Sequence, residues 1–156
     1  MRAEEELRFL ILGAQREGSR ALSAQLAPLG LTPAQAEVIR CLADAGPISL
    51  KTLGSLLVCE SGSPSRLVDS MVGSKLVERR EDAADRRQVV LALTAAGRQV
   101  ERQVRNVEAQ LYASIAEGLG AKGMETALKL LRPLVAGSIS GDAIARRKAL
   151  GAKARD

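Results

Sequence analysis

The stretch Glu81–Gly97, EDAADRRQVVLALTAAG, crowds acids and arginines into its first half and turns almost wholly apolar in its second. Its second half, RQVVLALT, alternates Val89, Leu91 and Leu93, the pattern of a strand with one buried face. Upstream, KLVERRED reads as an antiparallel partner with Leu76, and after it Glu78 and Arg80, on one face. EDAADR then becomes the tip of a β-hairpin. A tip has nothing to bury and can be fully charged, whereas the apolar face behind it must pack on something.

What it packs on precedes it. LTPAQAEVIRCLADAGP carries a full set of helix boundaries: Thr32 as N-cap, Pro33 at the first helical position, Gln35 completing a capping box, and Gly46 and Pro47 at the end. Ala36, Val38, Ile39 and Leu42 supply its buried side. A short helix follows Ser49, with Leu50, Leu53, Leu56 and Leu57 inward. A further helix runs from Ser61 or Ser63 to Ser74, where Pro64 is tolerated because the first turn does not need its N–H. Leu67, Val68 and Met71 face inward, which leaves Ser63, Ser65, Arg66, Asp69 and Ser70 outside. Short hydroxyl side chains permit close approach to a groove, and an arginine can reach a guanine edge or a phosphate. Three short helices followed by a hairpin form a winged helix-turn-helix.

Long helices flank this unit. Leu7, Leu10, Ile11, Ala14, Ala21 and Leu22 recur at helical spacing from Ala3 to Leu26. From Thr94 as N-cap, a second long helix places Val100, Val104, Val107, Leu111 and Ile115 in a stripe and ends near Leu119. KGMETALKLLRPLVAG continues with Met124, Leu128, Leu131 and Leu134 or Val135 apolar, bent or restarted around Pro133. Together these helices carry more apolar surface than so small a domain can cover, and the expected solution is an intertwined homodimer. The ending, SGDAIARRKALGAKARD, reads as a short basic helix or a mobile tail.

The 156 residues suit one domain, and the apolar 46% comes from Leu, Ala and Val with one Phe, one Tyr and no Trp, which favours helix. The net charge of +5 divides as −1 over residues 1–49, +1 over 50–97 and +5 over 98–156. Charge alone is therefore weak evidence of DNA binding. No apolar run reaches a membrane span and the N-terminus is acidic where a signal peptide is basic, so a cytoplasmic protein is expected. Without histidine there is no zinc or haem ligand set, and no cofactor is expected. Cys41 and Cys59 read as small buried hydrophobes, with a redox pair as the alternative.

With helix order, hairpin and flanking helices in place, the chain resembles the MarR (multiple antibiotic resistance regulator) family of bacterial transcription factors over roughly Leu7 to Val135. The family's wing signature is an Asp-Pro-x-Asp-Arg-Arg tip and then a strand ending in Leu-Thr-x-x-Gly. Here those positions are Asp82, Ala83, Ala84, Asp85, Arg86, Arg87, then Leu93, Thr94 and Gly97, with Ala83 replacing the proline. SRLVDSMVGSKLVERR resembles the family's recognition helix and following strand. Ser74 stands near the family's usual glycine, and the Gly62-Ser63-Pro64 opening departs from its pattern.

The resemblance implies a mainly α fold with a small β-hairpin wing, a winged helix-turn-helix with flanking N- and C-terminal dimerisation helices. Within a single domain over 1–156, residues 3–30 and 95–137 would form the dimerisation helices, 31–94 the winged unit and 138–156 a basic extension. It implies a transcriptional repressor that binds a palindromic double-stranded DNA operator as a homodimer, recognition helices in successive major grooves and wings in flanking minor grooves. Arg87, with Arg86 beside it, would be the minor-groove arginine, Asp85 would orient the arginine side chains, and Ser61, Ser63, Ser65 and Arg66 would face bases and phosphates. An arginine suits a narrow minor groove because of its enhanced negative potential. The family often binds small aromatic effectors between the dimer helices and the DNA-binding lobe. Phe9, Arg16 and Tyr112 are candidates for such a site, each equally readable as core or surface.

Three rival functions were weighed. No histidine, phosphate loop, GxSxG or convincing carboxylate pair supplies enzymatic machinery. A winged-helix protein-interaction module would more often expose apolar or aromatic residues on the wing, where this one has Arg86 and Arg87. A cysteine-based redox sensor of the same family would use Cys59, next to the recognition helix, but the family's peroxide sensors carry their reactive cysteine in the first helix, where this chain has none.

Overall fold

The computed structural model describes residues 1–59 and 63–153. Its elements are α1 (Ala3–Leu26) with a 3-10 turn (Ala27–Leu29), α2 (Pro33–Ala45), α3 (Leu50–Gly54), α4 (Pro64–Gly73), β1 (Val77–Glu81), β2 (Val89–Leu93), α5 (Ala95–Val135) and α6 (Ile139–Lys153). The helix starts follow their capping chemistry. Thr32 and Gln35 form the reciprocal capping box of α2, Ser49 Oγ accepts from the Thr52 amide, and Thr94 Oγ1 accepts from the Gly97 amide.

The core lies inside the winged unit. Val38, Ile39, Leu53, Val68, Met71, Leu91 and Val104 are fully buried, with Leu26 from α1 joining them. The hairpin pairs Val77 with Leu93 at its base and Glu81 with Val89 near its tip. On its other edge β2 meets Ile48, which exchanges two backbone hydrogen bonds with Leu91 at 3.2 and 2.8 Å.

That third partner corrects the expected alternation of β2. Val90, Leu91, Ala92 and Leu93 are all buried, because β2 touches both α2 and α5 and is flanked by a strand on each edge. Val89 is exposed instead of inward, since it pairs beyond the reach of the helices. In β1 the buried residue is Val77; Leu76 is half-buried and Arg80 is exposed, so the inward face is the opposite of the expected one.

The joint between hairpin and α5 explains the Leu-Thr-x-x-Gly motif. Leu93 is core, Thr94 caps α5 and also donates its hydroxyl to the Lys75 carbonyl at 2.7 Å, and the Thr94 amide donates to the Leu76 carbonyl at 3.1 Å. A Cβ on Gly97 would lie 2.0 Å from that same Leu76 oxygen, so only glycine lets α5 start so close to β1. Lys75 itself sits at φ 61, so the left-handed position that favours glycine falls one residue after Ser74.

In α5 the break is at Gly120 (φ 64, ψ 170), while Pro133 lies inside the last turn and does not restart the helix. The stripe on the first half of α5 reaches the core through Val100, Val104 and Val107. Beyond them the apolar faces are uncovered: Leu7, Phe9, Leu10 and Ile11 on α1, and Ile115, Leu128, Leu131 and Leu134 on α5, are all exposed. The basic C-terminal segment is helical as α6 and folds back onto α2, burying Ala143. Among the described residues no helix is long and apolar enough to cross a membrane.

Candidate nucleic-acid interface

Val68 and Met71 bury one face of α4, with Leu67 half-buried beside them, and fix its orientation; Ser63, Ser65, Arg66, Asp69 and Ser70 are exposed on the other. Ser63 occupies the N-cap position yet its hydroxyl makes no capping bond, so this hydroxyl remains available to a ligand. Ser61 lies outside the described residues. Arg79 of β1 donates to Asp69 Oδ1 at 2.5 Å, an ion pair that ties the wing to the exposed side of α4. Neither residue had been singled out for this role, because their contact depends on hairpin register and crosses between elements.

The wing tip is shaped by its two aspartates. Asp82 Oδ1 accepts from the Ala84 amide at 2.7 Å, and Asp85 Oδ1 accepts from both the Arg87 amide at 3.1 Å and Arg87 Nε at 3.2 Å. Gln88 Nε2 completes the set by donating to Asp85 Oδ2 at 3.2 Å. These side-chain turns hold the tip without the proline that Ala83 replaces. The backbone amide of Arg87, then the side chains of Gln88 and Arg87, hold the Asp85 carboxyl below its usual range. Asp85 therefore orients Arg87, whose side chain is 92% exposed. Arg86 is exposed beside it.

Behind the interface, two ion clusters lock the winged unit to its helices. Arg40 of α2 reaches Glu101 and, at 3.0 Å, Glu108 on α5, and Asp44 on its own helix at 3.3 Å. Burial lowers the affinity of the guanidinium for its proton, but the carboxylates of Asp44, Glu108 and Glu101 outweigh it. Glu37, also on α2, receives the amides of Val58 and Cys59 at 2.9 Å each and Arg147 of α6 at 2.6 Å. A charged residue amid the apolar run of α2 was the only sequence signal for either cluster.

Phe9, Arg16 and Tyr112 are not gathered into one site. Phe9 is half-exposed under the Arg8 guanidinium, and Arg16 lines a shallow cleft on α1 that includes neither of the others. Both thiols are pushed up to about 11, chiefly by burial, with Glu37 adding to the effect at Cys59. Such thiols are almost wholly protonated at neutral pH and make poor nucleophiles. Among the described residues no cluster could hold a metal ion.

The MarR family model matches residues 31–89, from the start of α2 to the first residue of β2. The multiple antibiotic resistance protein MarR of Escherichia coli is 31% identical over 130 residues, 81% of this chain and 88% of the relative. The chain belongs to the MarR family. A cysteine-to-serine variant of E. coli MarR solved in complex with operator DNA superposes with a TM-score of 0.74 at 28% identity, covering 83% of this chain and 94% of that one. BpsR of Bordetella bronchiseptica, whose DNA binding is regulated by 6-hydroxynicotinic acid, shares the fold at a TM-score of 0.76 and 23% identity, over 88% and 99% of the two chains. As a MarR-family protein the chain is a DNA-binding transcription regulator with a winged helix, not an enzyme.

Proposed function

We propose that the protein is a homodimeric repressor that holds a palindromic operator through α4 and the wing and releases it when a small aromatic effector binds. The observation that carries this reading is the wing tip, where an exposed arginine is held in place by a neighbouring carboxylate in a loop with no apolar residue larger than alanine. A protein-docking wing would present apolar side chains there. Ser63, Ser65 and Arg66, with Ser61, would read the major groove, and Arg87 with Arg86 the minor groove, guided by Asp85.

Dimerisation is supported by the uncovered faces of α1 and α5. Leu10 is 62% exposed and Leu134 60% exposed, and a soluble monomer rarely leaves so many large apolar side chains contiguous. A second copy would cover them and set the separation of the two α4 helices. Effector release is supported by a cleft of about 410 Å³ where α2, the hairpin base and α5 meet, lined by Arg80, Leu93, Arg98 and Arg102. The high thiol pKa values favour an effector of this kind over cysteine oxidation.

Selection of bound DNA from a random pool tests the proposal. The expected product is a two-fold symmetric site with half-sites about one helical turn apart. Recovery of asymmetric sites, or of none, would overturn it.

A further inference from the structure

The C-terminal helix α6 bears on the recognition helix through one buried carboxylate. Glu37 is 8% exposed, and its two oxygens take the amides of Val58 and Cys59, the last described residues before Ser63 opens α4. Its counter-charge comes from Arg147, 110 positions away on α6. Two further contacts seat the helix: Arg146 Nη1 donates to the Ser55 carbonyl at 3.2 Å, and Leu150 packs against the core. The segment after Val135 had no assigned role, and residues 139–153 lie outside the matched family region.

We infer that Arg147 and Glu37 form a strap through which α6 positions the recognition helix for operator binding. Glu37 is a positioning residue: it touches no DNA but fixes the chain that enters α4. A buried carboxylate stripped of its cationic partner is strongly unfavourable and turns toward water. In doing so it abandons the Val58 and Cys59 amides, whose unpaired N–H groups then favour a displaced turn. The strap thus makes the seating of α6 and the seating of α4 parts of one equilibrium.

The inference rests on α4 reading the operator, so its test has one arm without DNA. In hydrogen–deuterium exchange on the full-length protein, Arg147→Ala is expected to speed exchange of the Val58 and Cys59 amides while those of Val38 and Ile39 stay protected. Unchanged rates at Val58 and Cys59, or general acceleration through α2, would overturn the strap. In the second arm, operator selected by the parent is titrated by fluorescence anisotropy. Arg147→Ala should bind about tenfold more weakly, the equivalent of one charge-assisted hydrogen bond. Arg147→Lys should recover most of this loss, and adding Glu37→Gln to Arg147→Ala should cost little more. Lys148→Ala, which removes the same charge from the same helix, should bind like the parent. The salt slope of Arg147→Ala should equal the parent's; a slope shallower by about 0.9 would mean that Arg147 contacts a phosphate itself, and would overturn the strap. A parent that binds no DNA would refute the functional reading while leaving the exchange result to stand.

Discussion

The base and the tip of the hairpin are separated by one strand of five residues, yet they answer to different constraints. At the base, Leu93 is core, Thr94 makes three side-chain hydrogen bonds, and Gly97 has no room for a methyl group. At the tip, Asp85, Arg86 and Arg87 contact one another and solvent. The base decides where the wing points, and the tip decides what it can grip. One signature in the sequence therefore joins two demands that mutation can separate.

Gly97→Ala is the most forceful attack on the base. The added carbon would meet the Leu76 carbonyl oxygen at 2.0 Å, and backbone on both sides must move to admit it. The expected loss is about 3 kcal/mol, seen as a fall of about 10 °C in Tm. Operator affinity would fall only as far as the folded fraction does. Parent-like thermal unfolding would show that the joint yields easily, and the contrast with the tip would disappear.

Arg87→Ala attacks the tip. Its side chain is 92% exposed, so Tm should stay within about 1 °C of the parent, as for most surface substitutions. Affinity should fall about tenfold across all operator sequences, with the salt slope shallower by about 1. If affinity held, the minor-groove assignment would be wrong. If Tm fell, the tip would be part of the fold and not only of the interface.

Lys75→Gly refines the base from the opposite direction. Lys75 occupies a left-handed conformation at φ 61, which costs a residue with a Cβ about 1 kcal/mol relative to glycine. Substitution should raise stability in urea unfolding by about that amount, and leave operator binding unchanged. A loss of stability would mean that unfolded-chain entropy outweighs the relieved strain.

Legibility followed the range of the interaction. Thr32, Ser49 and Thr94 could be read as caps because capping acts within four residues, and the period of α2 and α4 was plain because each has one wet face. The inward faces of β1 and β2 were misread because burial there is set by Ile48 and by helices distant in sequence, which override a period of two. The wing was legible through its charges, but Arg79–Asp69 and Glu37–Arg147 were not. Each joins residues whose proximity exists only after the chain has folded. Even the role of Gly97 was visible only as a pattern, until the Leu76 carbonyl supplied its reason.

Asp85→Ala is the subtlest test, because two electrostatic effects oppose each other. Removing the carboxylate adds a unit of positive charge beside the arginines, and long-range attraction to phosphate should then tighten binding. It also removes the acceptor that fixes the Arg87 backbone and guanidinium, at 3.1 and 3.2 Å, so the arginine must be ordered at the moment of binding. Screening at physiological salt weakens the first effect and leaves the second untouched. Affinity should therefore fall about threefold at fixed salt, by the cost of immobilising one long side chain. Because the Arg87 amide and the side chains of Gln88 and Arg87 hold the Asp85 carboxyl low, the difference between parent and variant should persist as pH drops through the ordinary carboxylate range. It should close only below that range, where Asp85 takes up its proton. Tighter binding by the variant at every salt concentration would make Asp85 a simple counter-charge, and the tip a loop with no internal order to contribute.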